Sequence, residues 1–381
     1  MFLSSCIYDP WKKHRLPAES CADLTGLSFY RQVLITSYHR NTMSIAYVLP
    51  TDQKRCFDSY GQEMPCAGSG QDGELGIGSK GPSPRFTELA PEMVQDALTG
   101  LVWPRRGISF EFALRFEEAL EHVRDLNREG FLGFNDWRLP NRRELRSLVS
   151  HGRSRPALPT NHPFTHVQQT WYWTSTSSAM YPAYAWTVHL AGGRMFWNRK
   201  DQISMVWPVR GESTVLPRTG QRGCFDSLGK AVPCFGTGQD AEFQKGAVWP
   251  QPRFEQTEEG VVDRLTGLIW REMVNQEPGL LTWSKALDAV AKLRQETGMD
   301  WHLPNINELE SLVDASQSSP ALPQGHPFAG NPEVLWSSTS SGFEPDWAFG
   351  LYMHKGAVGV GHKKAARFGV WVARGQRTED G

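Results

Sequence analysis

Apolar residues recur at helical spacing in one stretch of each half of the chain. In the second half, Thr282 is the predicted N-cap of a helix over WSKALDAVAKLRQ. The apolar face of this helix is predicted to contain Trp283, Ala286, Leu287, Val290 and Leu293. In the first half the same role falls to Phe112, Phe116, Ala119, Leu120, Val123 and Leu126. The three- and four-residue intervals predict one buried stripe on each helix.

A second helix is predicted in each half from its start signal. Asn141 is followed three residues later by Glu144, and Asn305 is followed at the same interval by Glu308. An amide oxygen at the N-cap and a carboxylate at the third helical position form a capping box. We therefore expect both glutamates to act as caps.

Alternating and Gly/Pro-rich stretches account for the rest of each half. MVQDALTGLVW and VVDRLTGLIW are predicted to form strands with a Thr-Gly turn, and AWTVHL and GVWVARG are predicted as further strands. The segments GSKGPSPRF and KGAVWPQPRF are predicted to be surface loops. Two helices with a small antiparallel sheet amid long loops give an α+β fold class for each half.

The two halves are copies of one unit. CFDSYGQEMPCAGSGQD (56–72) recurs at 224–240, DWRLPNRRELRSLV (136–149) recurs at 300–313, and WTSTSS recurs as WSSTSS, always in the same order. A period of about 165 residues is that of a domain. The predicted organisation is an N-terminal extension of poor order (1–46), a first domain (47–211), a second domain (212–375) and a tail (376–381), with 211–217 as linker.

Tryptophan is abundant, with 15 residues in the chain. Identity between two diverged copies favours packing over ligand contact, so the repeated tryptophans are predicted to lie in the core. The pairs matched by the sequence blocks are Trp103 with Trp270, Trp137 with Trp301, Trp173 with Trp336, Trp186 with Trp347, and Trp207 with Trp371.

Four cysteines lie in the repeated unit. Cys56 and Cys66, like Cys224 and Cys234, bracket nine residues that include a Gly-containing turn, so each pair is predicted to close a hairpin as a disulfide. Reduced thiols are the alternative. The spacing matches no zinc site. Cys6 and Cys21 lie in the extension, where their pairing is left open, and Met43 is the expected functional start.

Charge and hydropathy exclude several classes of partner. Lys plus Arg number 40 against 41 Asp plus Glu, giving a net charge of −1, so we expect no nucleic-acid partner. Apolar runs are far shorter than the roughly 20 residues that span a bilayer, and we expect no membrane insertion. The N-terminus shows no recognisable secretory signal. The ligand, whether glycan or protein, and the oligomeric state are not identified by the sequence.

These blocks together resemble the C-terminal domain family of the Legionella collagen-like adhesin, a bacterial domain of unknown function. The resemblance is carried by LTGLIW, the Trp-containing helix, DWHLPNINELESLVD, WSSTSS, the following AW or WAF strand, and the closing VRG or ARG, over 94–211 and 261–375. It implies two tandem C-type-lectin-like domains and a surface-displayed binding module, one member of the family being a binder of sulfated polysaccharide. The first copy departs from the family by having SLVSHG in place of SLVD.

Catalytic chemistry has no evident carrier. The chain lacks the nucleophile-elbow, zinc-helix and phosphate-loop motifs, and we expect no enzyme activity, no metal and no cofactor. His162 and His326 are interpreted as turn residues, and Asp136 and Asp300 as hydrogen-bonding to the neighbouring backbone. The alternatives are a divergent enzyme resembling the formylglycine-generating branch and a retroelement-diversified variable binding protein.

Binding is instead expected at the loop-rich C-terminal face of each domain, where the copies diverge most. Aromatic planes mixed with cations suit sugar faces and anionic groups, so an anionic or sulfated glycan is the expected ligand. The cysteine hairpins and the resemblance together suggest an extracellular or cell-envelope location. The candidate ligand-binding residues are Tyr181, Tyr184, Arg194, Trp197, Arg199 and Lys200 in the first copy, and His354, Lys355, His362, Lys363, Lys364 and Arg367 in the second.

Overall fold

A computed structural model describes residues 48–79, 81–109, 111–273, 279–330 and 332–375. All of them belong to one compact unit. The structure does not describe the extension 1–46, with Cys6 and Cys21, or the tail 376–381, so the predictions for them lie outside the described residues. No described helix is both long and apolar enough to cross a membrane.

The described residues of the first repeat form eight short strands and three helices. Its strands are β1 (Cys56–Phe57), β2 (Glu63–Met64), β3 (Phe86–Ala90), β4 (Met93–Asp96), β5 (Val102–Pro104), β6 (Trp171–Ser177), β7 (Tyr184–His189) and β8 (Met195–Arg199). Its helices are α1 (Asp72–Leu75), α2 (Phe116–Arg128) and α3 (Arg142–Arg146), with one 3-10 turn at Phe131–Gly133.

The second repeat follows the same order and adds a closing strand. Its strands are β9 (Cys224–Phe225), β10 (Ala231–Val232), β11 (Phe254–Gln256), β12 (Val261–Asp263), β13 (Ile269–Glu272), β14 (Val334–Ser340), β15 (Trp347–Tyr352), β16 (Ala357–His362) and β17 (Trp371–Arg374). Its helices are α4 (Asp240–Phe243), α5 (Trp283–Thr297) and α6 (Ile306–Ser311).

The predicted helices form, with two local differences. Both capping boxes are present, since Asn141 and Asn305 accept from the first-turn amides while Glu144 and Glu308 accept from the N-cap amides. Thr282 is the N-cap of α5, but its side chain makes no capping hydrogen bond. Phe112 is not part of the buried stripe: it precedes α2 and is 67% exposed. The apolar spacing therefore begins one turn before the first residue of the helix.

A six-stranded antiparallel sheet joins the two repeats. Its order is β14-β15-β16-β8-β7-β6, and the junction is the pairing of Val358 on β16 with Met195 on β8. Smaller sheets complete each repeat: β3-β4-β5 in the first, and β11-β12-β13-β17 in the second, where the closing strand returns to pair with the LTGLIW strand. The architecture is thus mixed, with helices packed around several small antiparallel sheets.

The repeated tryptophans form much of the core, as predicted. Nine of the ten paired residues are buried, and Trp347 is only half-buried. The strand register explains the exception. Tyr184 pairs with Arg199 just as Trp347 pairs with His362, so Trp347 is the counterpart of Tyr184 and not of Trp186. The buried counterpart of Trp186 is Phe349, which lies two residues further along its strand.

The cysteine hairpins are exchanged between the repeats. The predicted disulfides Cys56–Cys66 and Cys224–Cys234 are both formed. After the first hairpin, Asp72 of α1 accepts a 2.7 Å hydrogen bond from Thr339 of the second repeat. After the second hairpin, Asp240 of α4 accepts a 2.7 Å bond from Thr176 of the first repeat. The segment after each hairpin therefore docks on an outer strand of the six-stranded sheet, β14 or β6, in the other copy.

Candidate functional site

Two of the candidate binding residues are buried. Lys200 ends the β8 region and Lys363 follows β16, and their exposed fractions are 1% and 0%. The Lys200 ammonium donates to the carbonyl oxygen of Phe225 at 2.7 Å, and Lys363 donates to that of Phe57 at 3.1 Å. Each lysine therefore holds the hairpin of the other repeat in place through hydrogen bonds. The expectation that they lie on an exposed face was wrong, because each lysine is covered by the hairpin of the other repeat.

Burial also lowers the pKa of these two lysines. Removal of the ammonium groups from water lowers the pKa of Lys363 to about 7 and that of Lys200 to about 8. Each ammonium also lies near the ring of the first residue of a helix, at 4.0 Å from Trp283 and 4.9 Å from Phe116. The geometry satisfies the amine within the fold and leaves it no path to a ligand.

The remaining candidates fall into two groups. Val358 pairs with Met195, and because the strands are antiparallel, Arg199 and His362 lie four residues from this pair in opposite directions. A rise of roughly 3.4 Å per residue puts about 27 Å between them. The sequence-predicted residues therefore do not form one continuous surface.

The first group brings three rings and one cation together across the repeat junction. Tyr181 is 53% exposed, and its ring centroid lies 5.8 Å from that of Tyr184 and 5.7 Å from that of Trp197. The Lys355 ammonium of the second repeat lies 5.1 Å from the Trp197 ring. We call Tyr181, Tyr184, Trp197 and Lys355 the aromatic platform.

Strand geometry fixes the orientation of this platform. Tyr184 and Trp186 on β7 face the same side as Arg199 and Trp197 on β8, because they are cross-strand partners. The Trp186 ring is buried 5.4 Å from Trp197 and supports it from below. The exposed end of the stack is therefore Tyr181 and the outer part of Trp197.

Charges around the platform are partly compensated. Arg199 pairs with Asp201 at 2.5 Å, so its charge is neutralised locally. Partial burial lowers the pKa of Lys355, while the nearby Glu333 carboxylate opposes that shift. Arg194 and His354 are half-buried near the same strands, and the His354 ring lies 6.3 Å from that of Tyr352. Lys355 is the cation that directly contacts the rings.

The second group lacks a matching platform. His362 lies 3.5 Å from Asp346 and packs edge-on against Trp347 at 5.4 Å. Lys364 lies 3.7 Å over the Tyr60 ring of the exchanged hairpin, and Arg367 is exposed. The positions of Tyr181 and Trp197 are taken by Glu344 and Val360 in this copy. The ring cluster of Tyr181, Tyr184 and Trp197 thus has no equivalent among the described residues of the second repeat.

Two platform neighbours were missed by the sequence reading. Phe196 and Tyr352 pack edge-to-face at 6.0 Å, and the Lys355 ammonium lies 5.4 Å from the first ring and 5.2 Å from the second. Lys355 is therefore held among three rings contributed by both repeats. The signal available in the sequence was the Phe-Trp pair in GGRMFWNRK, aligned against Gly-Val in the other copy.

The acidic residues and histidines considered for chemistry have structural partners. Glu144 pairs with Arg138 at 2.6 Å, and Glu308 with His302 at 2.9 Å, in addition to their capping bonds. Asp136 was expected to bond the neighbouring backbone, but its carboxylate accepts from Arg210 at 2.7 Å. That arginine belongs to the closing VRG motif, 74 residues away, which explains why the contact was not evident locally.

The two repeated histidines occupy equivalent turns. His162 and His326 stack 6.0 Å from Phe164 and Phe328 respectively, and burial lowers the pKa of each. Over the described ranges, no three His, Cys, Asp or Glu side chains are close enough to share a metal ion.

Comparison with known families places these features in context. The family model of the Lcl C-terminal domain matches residues 92–210 and 259–374, which together make up more than half of the chain. No curated protein matches the sequence. The family match suggests an adhesin-like domain of the cell surface, and the two disulfides are in keeping with an oxidising, extracellular location. The chain belongs to the Lcl C-terminal domain family and carries two tandem copies of that domain.

Proposed function

We propose that this protein is a non-enzymatic binding or adhesion protein of the bacterial cell surface or envelope, and that the aromatic platform recognises an anionic or sulfated glycan. The observation that carries the proposal is the clustering of Tyr181 and Tyr184 with Trp197, whose ring lies 5.1 Å from the Lys355 ammonium. Ring faces pack against the apolar faces of sugars, and the ammonium attracts sulfate or carboxylate.

We further propose that each repeat has the C-type-lectin-like fold. Its support is the return of the end of each repeat to an earlier strand: Trp371–Arg374 pairs with Ile269–Glu272 in the second repeat, and Arg210 bridges Val102 in the first.

The test is binding of the full chain to immobilised heparin and to the same polysaccharide after desulfation, at low and raised salt. Tyr181→Ala removes an exposed ring and is expected to weaken binding to heparin about tenfold. Lys355→Ala is expected to weaken it and to reduce the dependence on salt, because a screened charge pair is lost.

Lys364→Ala is the matched control, since Lys364 also lies over a tyrosine ring but belongs to the second group. Its binding is expected to equal that of the unmodified chain. The assignment of the platform would be refuted if the Tyr181 and Lys355 variants bound heparin as tightly as the unmodified chain. It would also be refuted if desulfated heparin bound as tightly as heparin.

A further inference from the structure

A second site is indicated by a cleft found in the first repeat. Its volume is about 870 Å³, and it opens between the chain that leads into the first hairpin, the Pro-rich segment before β3 and the loop after α3. We call it the strap cleft. The residues that carry the argument are Asp52, Lys54, Gly81, Arg85 and Arg153, all of which line it.

The second repeat fills the equivalent space with its own side chain. GSKGPSPRF aligns with GAVWPQPRF, so Gly81 stands where the other copy has Trp249. The Trp249 indole donates to the carbonyl oxygen of Arg218 at 2.9 Å. The far edge of that ring comes within 2.9 Å of a Cβ built on Gly220, the counterpart of Asp52. The ring therefore spans the space that is open in the first repeat.

The missing indole uncovers one face of an arginine. Arg85 and Arg253 are counterparts that bind Asp96 and Asp263 through two hydrogen bonds each, and each lies 4.9 Å over a phenylalanine ring. Arg253 also lies 4.8 Å over Trp249. The side chain of Arg253 is 4% exposed, whereas that of Arg85 is 17% exposed. Arg85 is thus a rigidly held guanidinium with one face open to the cleft.

The two repeats also carry the carboxylate of this region on different residues. In the second repeat, Asp314 follows α6 and faces Gly220, whose Cβ would lie 2.2 Å from the Asp314 Oδ1 atom. In the first repeat Ser150 takes the place of Asp314, and Asp52 takes the place of Gly220. This exchange accounts for the SLVSHG departure from the family pattern. It puts the carboxylate on the cleft wall.

Cations outnumber this carboxylate at the mouth of the cleft. Lys54 and Arg153 are exposed, and neither forms an ion pair within the residues that the structure describes. Arg153 donates only to the Thr160 hydroxyl, at 3.0 Å. Exposed, unpaired cations around a concave surface attract anions.

We propose that the strap cleft binds a small planar anion, an aromatic carboxylate, whose ring stacks on Arg85 where Trp249 stacks on Arg253. Its carboxylate faces Lys54 and Arg153. The site is separate from the aromatic platform, and the equivalent space in the second repeat is filled by Trp249. Guanidinium groups stack on flat rings and also attract the negative charge of the ligand.

The probe is indole-3-acetate, titrated into the full chain by calorimetry and followed by ligand-observed NMR. The decisive variant is Asp52→Gly combined with Gly81→Trp, which installs in the first repeat the pair of residues that the second already accommodates. It is expected to weaken binding at least tenfold without lowering the thermal midpoint. Unchanged binding in this folded variant would overturn the proposal.

Two single variants of exposed residues keep the test decisive if the double variant fails to fold. Lys54→Ala and Arg153→Ala change exposed side chains, and each is expected to weaken binding about three- to tenfold and to flatten its salt dependence. Lys364→Ala serves as the distant control and is expected to bind like the unmodified chain. The proposal would be overturned if the unmodified chain showed no saturable binding. It would also be overturned if both surface variants bound as tightly as the unmodified chain.

Discussion

The Lys363 ammonium donates a hydrogen bond of 3.1 Å to the carbonyl oxygen of Phe57, a residue 306 positions earlier in the chain. The same ammonium donates to the Asp58 carbonyl and to the Ser340 hydroxyl. Lys200 makes the corresponding contacts with Phe225 and Asp226. One buried lysine in each repeat therefore ties down the disulfide hairpin of the other repeat.

Replacement of Lys363 by Ala is expected to destabilise the fold by about 2–4 kcal/mol, since it leaves buried carbonyl oxygens without a donor and opens a cavity. The measurement is urea unfolding at pH 7. Lys364→Ala is the adjacent control, because Lys364 is exposed, and its expected change is below about 0.5 kcal/mol. If the two variants lost similar amounts of unfolding free energy, Lys363 would not be what stabilises the docked hairpin.

Asp72 makes hairpin docking sensitive to pH. Burial raises its pKa from 3.8 to about 7, so the folded state binds this proton more tightly than the unfolded chain does. The contribution of Asp72 to stability is therefore greatest below about pH 4 and falls as the pH rises to about 7, by at most about 1.4 kcal/mol per pH unit.

Asp72→Asn removes this titration. The difference in unfolding free energy between the variant and the unmodified chain is expected to shift in favour of the variant between pH 4 and pH 7. It is measured by unfolding at several pH values in that range. A difference that is independent of pH would contradict a raised pKa at Asp72.

The disulfides are expected to stabilise each docked hairpin. Cys56 and Cys66 are ten residues apart, and the chain-entropy model gives about 2–3 kcal/mol for a loop of this length. Cys56→Ser with Cys66→Ser is expected to lower the unfolding free energy by that amount. Cys224→Ser with Cys234→Ser is the matched pair, and a negligible loss in both would mean that docking alone holds the hairpins.

Gly220 is expected to tolerate no side chain. Its φ of +90° is in the left-handed region, and a Cβ would lie 2.2 Å from the Asp314 Oδ1 atom. Gly220→Ala is therefore expected to cost more than about 3 kcal/mol. Gly267→Ala provides the control, because Gly267 has a φ of +75° but nothing within 4 Å of its Cβ position, so only backbone strain of about 1 kcal/mol is expected. Equal thermal shifts would remove the steric argument.

Local signals predicted much of the fold. The capping boxes at Asn141 and Asn305 were readable because their partners are three residues away. Phe112 was misplaced because apolar spacing alone does not mark where a helix begins. Trp347 was matched to Trp186 by residue identity, whereas the strand register matches it to Tyr184.

The candidate site was only partly predictable. Aromatic and basic composition drew attention to Tyr181, Trp197 and Lys355, which meet across the repeat junction. The same composition rule also selected Lys200 and Lys363, which are buried. Composition cannot distinguish an exposed cation from one that fastens a distant segment.

The sequence by itself determined the duplicated unit, the helices with their caps and the two disulfide hairpins, because these depend on contacts within about ten residues or on identity between copies. Only the tertiary structure decided which copy each hairpin docks on, which lysines are buried and where the cleft opens. Those outcomes depend on contacts well beyond local range, with 25 residues between Lys200 and Phe225 and 306 between Lys363 and Phe57. Such contacts leave no periodic trace along the chain, and the free energy of burial is realised only when both surfaces are in place.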